Sequence, residues 1–128
     1  SMTRGAQIAL AVAAVVAISA AKNILRAQDI GDTVQVVAVC KDRAMIEQHL
    51  KWIVEDEGYE RANKDFTRAL HSGECVAMHA AISLPIEEVG LRTAVFVDSD
   101  GDRVRLAAIR VRNAWTMFLE IFDTAKKT

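Results

Sequence analysis

The chain has 128 residues, 52% hydrophobic and 26% charged, with 16 Lys+Arg against 17 Asp+Glu and a formal net charge of −1. That length suits a single domain, residues 1–128, with a core large enough to hold without staples. The near-balance of charge excludes a strong field for nucleic acid or an anionic surface, and a single proline with no low-complexity tract or internal repeat excludes an array of linked units.

Ser1 reads as an added residue before the native start Met2, and residues 6–21, AQIALAVAAVVAISAA, carry no charge. Met2-Thr3-Arg4, the apolar run Ile8 to Ile18 and Ser19-Ala20-Ala21 together fit a secretory signal. A membrane span needs about 20 apolar residues, and this run stops short at Lys22-Asn23. The favoured reading is a long buried helix over 6–25, with Ala9, Ala13, Ala17 and Ala21 forming a smooth ridge at a spacing of four. Ile8, Val12, Val15, Val16 and Ile18 surround that ridge, and a helix apolar nearly all round is buried on more than one side. Ala13 and Ala17 are therefore expected at a contact with a sheet or a symmetry mate. The expected location is the cytoplasm, with anchoring or export through this segment as the alternative.

Thr33–Cys40 (TVQVVAVC) is a β-branched run and predicts a strand. Asp42 then caps a helix with Ile46, Leu50 and Ile53 on one face, ending before Gly58. Tyr59, Ala62, Phe66 and Leu70 mark a second helix closed by Gly73. Glu74 to Leu84 alternates and predicts a strand, although its Ala and Met content keeps a helix open. Leu91–Asp98 and Arg103–Val111 are strands joined through Ser99-Asp100-Gly101-Asp102, and Asn113–Asp123 reads as a closing helix with Trp115, Met117, Phe118, Leu119, Ile121 and Phe122.

These strands lack the apolar–polar alternation of a sheet with one wet face. The expected fold is α+β: a long apolar amino-terminal helix, a mostly antiparallel sheet of about four strands, and a carboxy-terminal helix. Helices on both faces, or a second subunit, would cover the sheet. Trp115, Phe118 and Phe122 exceed one buried stripe and are assigned to an interface. Arg110 and Arg112 join them, because Arg103, Arg105, Arg110 and Arg112 on one strand could meet the acidic tip Glu55-Asp56-Glu57 or a small anion.

No nucleophile elbow, phosphate-cradling glycine loop or paired-histidine zinc motif occurs. Asp98-Ser99-Asp100-Gly101-Asp102 is read as a turn, not a calcium loop. Cys75 and His79 have the spacing of two zinc ligands on a helix, but on a strand they lie roughly 13 Å apart. No metal or cofactor is assigned. Cys40 and Cys75 are read as reduced thiols in apolar runs, with a disulfide as the alternative for an exported domain. His49 is read as a packed histidine beside Met45 and Trp52, His71 as a helix cap, and Glu87-Glu88 as solvated.

The leading expectation is a non-enzymatic, homo-oligomeric assembly or scaffolding domain, suited to a larger bacterial envelope or secretion assembly. It would take protein partners and itself, with no nucleic acid, and a membrane only through 6–25. The alternative is a small-ligand-sensing regulator, in which Cys75, Ala77, His79 and Ala81 line a cleft and His79, with Cys75, contacts the ligand. Glu57-Gly58-Tyr59, Ala69-Leu70-His71 and Val89-Gly90-Leu91-Arg92 resemble, in order, stretches of the histidine-utilisation antiterminator family. That resemblance implies a ligand-responsive regulator, although the family's metal-binding histidines have no counterparts here.

Overall fold

The computed structural model describes residues 16–19, 29–55 and 59–123, with backbone alone for 16–19, 122 and 123. Its strands are β1 (Val16–Ser19), β2 (Thr33–Cys40), β3 (Cys75–Pro85), β4 (Glu88–Arg92), β5 (Phe96–Val97), β6 (Arg103–Val111) and β7 (Ala114–Asp123). Helices α1 (Arg43–Glu55) and α2 (Glu60–Ser72) lie between β2 and β3. The seven strands form one sheet in the order β3-β2-β1-β7-β6-β4, with β5 pairing β6. All pairings are antiparallel except β1 with β7.

β3 and β4 stand at opposite ends of that order, yet only Ile86 and Glu87 separate them in the chain. Five inter-strand spacings of about 4.8 Å would hold the edges of a flat sheet roughly 24 Å apart. Three Cα steps reach at most about 11 Å. The sheet must therefore coil until its edges meet at this end. The backbone shows the closure: Ile86 N–H donates to Asp32 O and Gly31 N–H to Ile86 O, both at 2.9 Å, while Glu87 N–H donates to Arg110 O at 2.8 Å.

Coiling creates two cores. Val34, Val36, Leu84, Ile86, Ala107, Ile109, Val111 and Phe118 fill the inside. Outside, Ile46, Leu50, Ile53, Ala62, Phe66 and Ala69 of the helices cover Ala38, Leu106, Ala108, Trp115 and Met117. Alternate residues of β6 thus enter different cores, which is why its sequence shows no wet face.

The helices follow their signals. Asp42 Oδ1 accepts the Ala44 N–H at 3.0 Å and caps α1. Gly73, at φ 83°, terminates α2 by donating its N–H to Leu70 O.

Several expectations are corrected. Residues 16–19 are a strand, so no long apolar helix runs over 6–25; positions 6–15 and 20–25, Ala13 among them, lie outside the described residues. The sheet has seven strands among the described residues and not about four, and it dominates the described fold. The expected strand Leu91–Asp98 is divided between β4 and β5. The closing helix over Asn113–Asp123 is instead β7, its register running from Val111↔Ala114 to Arg103↔Asp123. Trp, Phe, Thr and Ile favour a pleated surface, and Arg112 and Asn113, both at positive φ (48° and 63°), make the two-residue hairpin that starts it. Helices cover one face of the described sheet and not both; its second face is covered by its own coil.

The interior core sets a first prediction. Phe118 is 1% exposed inside the coil, so Phe118→Ala should cost about 3–5 kcal/mol in the urea unfolding midpoint. Val95→Ala, at a residue 41% exposed, should change stability by less than about 0.5 kcal/mol. Equal, small effects would contradict a packed interior on that face.

Candidate functional site

β3 reads CVAMHAAISLP and contains no Lys, Arg, Asp or Glu. Its inner edge pairs with β2 from Thr33↔Pro85 to Cys40↔Cys75, and its outer edge meets no described strand. Val76 is 55% exposed, and Ala77, His79, Ala80, Ala81 and Ser83 are exposed with it. Between Val36↔Ile82 and Ala38↔Ala77, β3 carries extra residues, and this bulge contains Met78, His79, Ala80 and Ala81. Ile82 and Leu84 below the bulge join the interior core, and the Gln35 amide donates to Ser83 Oγ.

Above the bulge the strand is fixed covalently. Cys40 and Cys75 form a disulfide with a Cα–Cα distance of 4.0 Å, correcting the reduced-thiol reading. The physical reason is register: the two cysteines stand directly opposite on adjacent antiparallel strands. Both are 2% exposed, and Met45 Sδ lies 3.7 Å from Cys75 Sγ. The bond joins the two stems of the α1–α2 hairpin across a sequence separation of 35.

A polar brace lies under this end. His49, fully buried and stacked on Trp52, places Nε2 2.7 Å from Asp65 Oδ2 and links α1 to α2. Arg68 donates to Asp65 Oδ1 at 2.9 Å and to Glu74 Oε2 at 2.7 Å, and Ser72 Oγ donates to the same Glu74 oxygen. Burial alone would raise the Asp65 pKa, but hydrogen bonds from Arg68 and His49 outweigh it and hold the carboxyl below its ordinary value. His49 Nδ1 has no hydrogen-bond partner among the described residues.

The other sequence-derived candidates are dispersed. Cys75 is bound in the disulfide, and His79 stands exposed on the bulge. Ala17 pairs with Phe118 through the β1–β7 register. Trp115 is 8% exposed under the Arg43 guanidinium, and Phe118 lies in the interior, so both side chains serve internal packing. Arg110 is held by Glu87 (3.1 Å) and Glu88 (2.7 Å), and Arg112 is exposed in the β6–β7 turn. The Phe122 side chain lies outside what is described.

Asp98, Asp100 and Asp102 bring their carboxylate oxygens within 4.8 Å of one another. Asp98 Oδ1 accepts the N–H of both Asp100 and Asp102 at 2.9 Å, the work of a turn residue. Burial first, then the Asp102 and Asp100 charges, raises the Asp98 pKa despite those bonds.

No helix among the described residues is long and apolar enough to cross a membrane. No family model, no curated protein and no solved structure matches this chain.

The unpaired edge of β3 among the described residues is not directly legible in the sequence, because strand order is not written locally. The signal that could have found it is the absence of charge from Cys75 to Pro85 in a chain that is 26% charged.

Two predictions follow from the fixed end. Closing a loop of this length removes about 2–4 kcal/mol of unfolded-state freedom, so the Cys40→Ala, Cys75→Ala double variant should lose that much in the urea midpoint, and dithiothreitol should reproduce the loss in the parent. For Asp65, the folded pKa is depressed below 3.8, so its contribution is complete above that value and is lost as pH falls through the lower folded one. Asp65→Asn should therefore be less stable at neutral pH and show a shallower acid limb below about pH 4. An acid limb unchanged in slope would remove Asp65 from the account.

Proposed function

We propose that this chain is a non-enzymatic assembly domain that associates with a second copy of itself along the outer edge of β3. One observation carries the reading: an uncharged edge on which no described strand lies, with Val76, Ala77, Ala80 and Ala81 exposed along it. Free strand edges present unpaired N–H and C=O groups, and proteins that stay apart guard them with lysine, proline, bulges or inward charge. Here the strand carries no charge, and its guards are the bulge at its middle and Pro85 at its far end, which leave Val76 and Ala77 above the bulge. Two copies meeting antiparallel about a two-fold axis place each residue of one strand opposite a second residue of the other and the reverse, and an uncharged strand opposes no like charges in any such register. The disulfide and the polar brace support this role by holding the upper part of β3 straight against β2.

The same disulfide supports an oxidising compartment as the place of work, because such bonds persist there and are rare in a reducing cytosol. This favours the exported or anchored alternative of the sequence analysis over the cytoplasmic one.

Light scattering across a micromolar concentration series tests the reading. The parent should be dimeric, and Val76→Lys should weaken the dimer at least about tenfold, a loss of about 1.4 kcal/mol, with an unchanged circular dichroism spectrum. A parent that is monomeric throughout, or a Val76→Lys dimer as tight as the parent's, would overturn it.

A further inference from the structure

β2 and β7 pair directly at Cys40↔Trp115 alone. Below that bridge they fork, and β1 fills the fork, antiparallel to β2 through Ile18↔Gln35 and Ser19↔Val34 and parallel to β7 through Val16↔Met117 and Ala17↔Phe118. A strand of four residues therefore completes the wall of the coil. Its slot is bordered by Val34, Gln35 and Val36 on one side and Thr116, Met117 and Phe118 on the other, with no charge on either.

We propose that this slot accepts residues 16–19 of a second copy, so that the two chains of the edge-paired dimer exchange β1. The inference rests on the β3 pairing proposed above. The occupant's chemistry is set by the strand already seated there, an uncharged VAIS segment with partners on both sides. Every copy carries one such strand and one such slot, so exchange reproduces the same contacts and forms a closed pair. The geometry permits it. Across a β3–β3 junction, β2 of one copy and the slot of the other lie four strand spacings apart sideways, about 19 Å. Because the pairing is antiparallel, Thr33 and the other copy's Ser19 position also stand at opposite ends of the junction, about 27 Å apart along the strands for an axis at the bulge, or about 33 Å in all. Residues 20–32, which join Ser19 to Thr33, reach roughly 45 Å when extended, whereas antiparallel neighbours need only a two-residue hairpin.

The test uses the full chain carrying Ile18→Cys in one preparation and Gln35→Cys in a second of different tag mass. The two are mixed, incubated, oxidised and mapped by mass spectrometry, with Cys40–Cys75 serving as the internal native bond. Exchange predicts an 18–35 cross-link between differently tagged chains, falling to background when both carry Val76→Lys. Ala80→Glu provides a second edge variant should Val76→Lys misfold. If light scattering shows the edge-dependent dimer but no inter-chain cross-link forms, exchange is overturned and edge pairing stands. If neither dimer nor cross-link is found, both fail. A cross-link that survives both edge variants overturns the route through β3.

Discussion

The connection Ile86-Glu87 joins the two ends of the sheet order, and the remainder of the architecture depends on it. Because β3 runs into β4 through these residues alone, the strands that bound the sheet must meet at one end. The backbone of Ile86 is bonded to the Gly31–Asp32 turn and that of Glu87 to the end of β6, so the closure is a hydrogen-bonded seam. From the seam follows the interior core, and from the interior core follows the need for apolar residues on both faces of strands such as β6.

Closure at one end leaves the other end different. Below the bulge, Ile82 and Leu84 belong to the coil; above it, β3 leaves the seam and is held by the disulfide to β2. The helical hairpin packs outside the coil, and Arg43 and Glu47 of α1 tie it to β4: Glu47 accepts the Leu91 N–H at 2.9 Å, and Arg43 reaches Glu88 at 3.2 Å. Burial would raise the Glu47 pKa, but the Leu91 N–H and the Arg43 guanidinium hold it below the ordinary value. Gly90 allows this approach, since a Cβ there would lie 2.8 Å from Glu47 Oε2. Among the described residues no strand lies on the outer edge of β3, and self-association is the role proposed for that edge.

The helices and the strands β2 and β6 were legible because each follows a local rule: the 3.6-residue period of Ile46, Leu50 and Ile53, and the β-branched run of Thr33–Cys40. That both sheet faces are buried was also legible in the missing alternation. How they are buried was not, since coiling is a property of strand order. Residues 16–19 were misread because Ala-rich sequence favours a helix locally, whereas pairing on both sides of a fork overrides propensity. β7 was misread because large side chains on both faces imitate an all-round apolar helix; the Arg112-Asn113 turn was the overlooked signal. The disulfide depends on register, which no spacing in the sequence supplies. Of the candidate site, His79 and Cys75 were singled out and do lie on β3, but the open edge that connects them was not foreseen.

Native-state hydrogen exchange tests the coiled sheet most directly. If the Ile86-Glu87 seam closes the fold, amides of residues 82–92 should exchange with the same free energy as those of residues 105–119, through one cooperative opening. Local exchange of 82–92 while 105–119 remains protected would contradict the account, because the seam would then be an appendage to a sheet that stands without it.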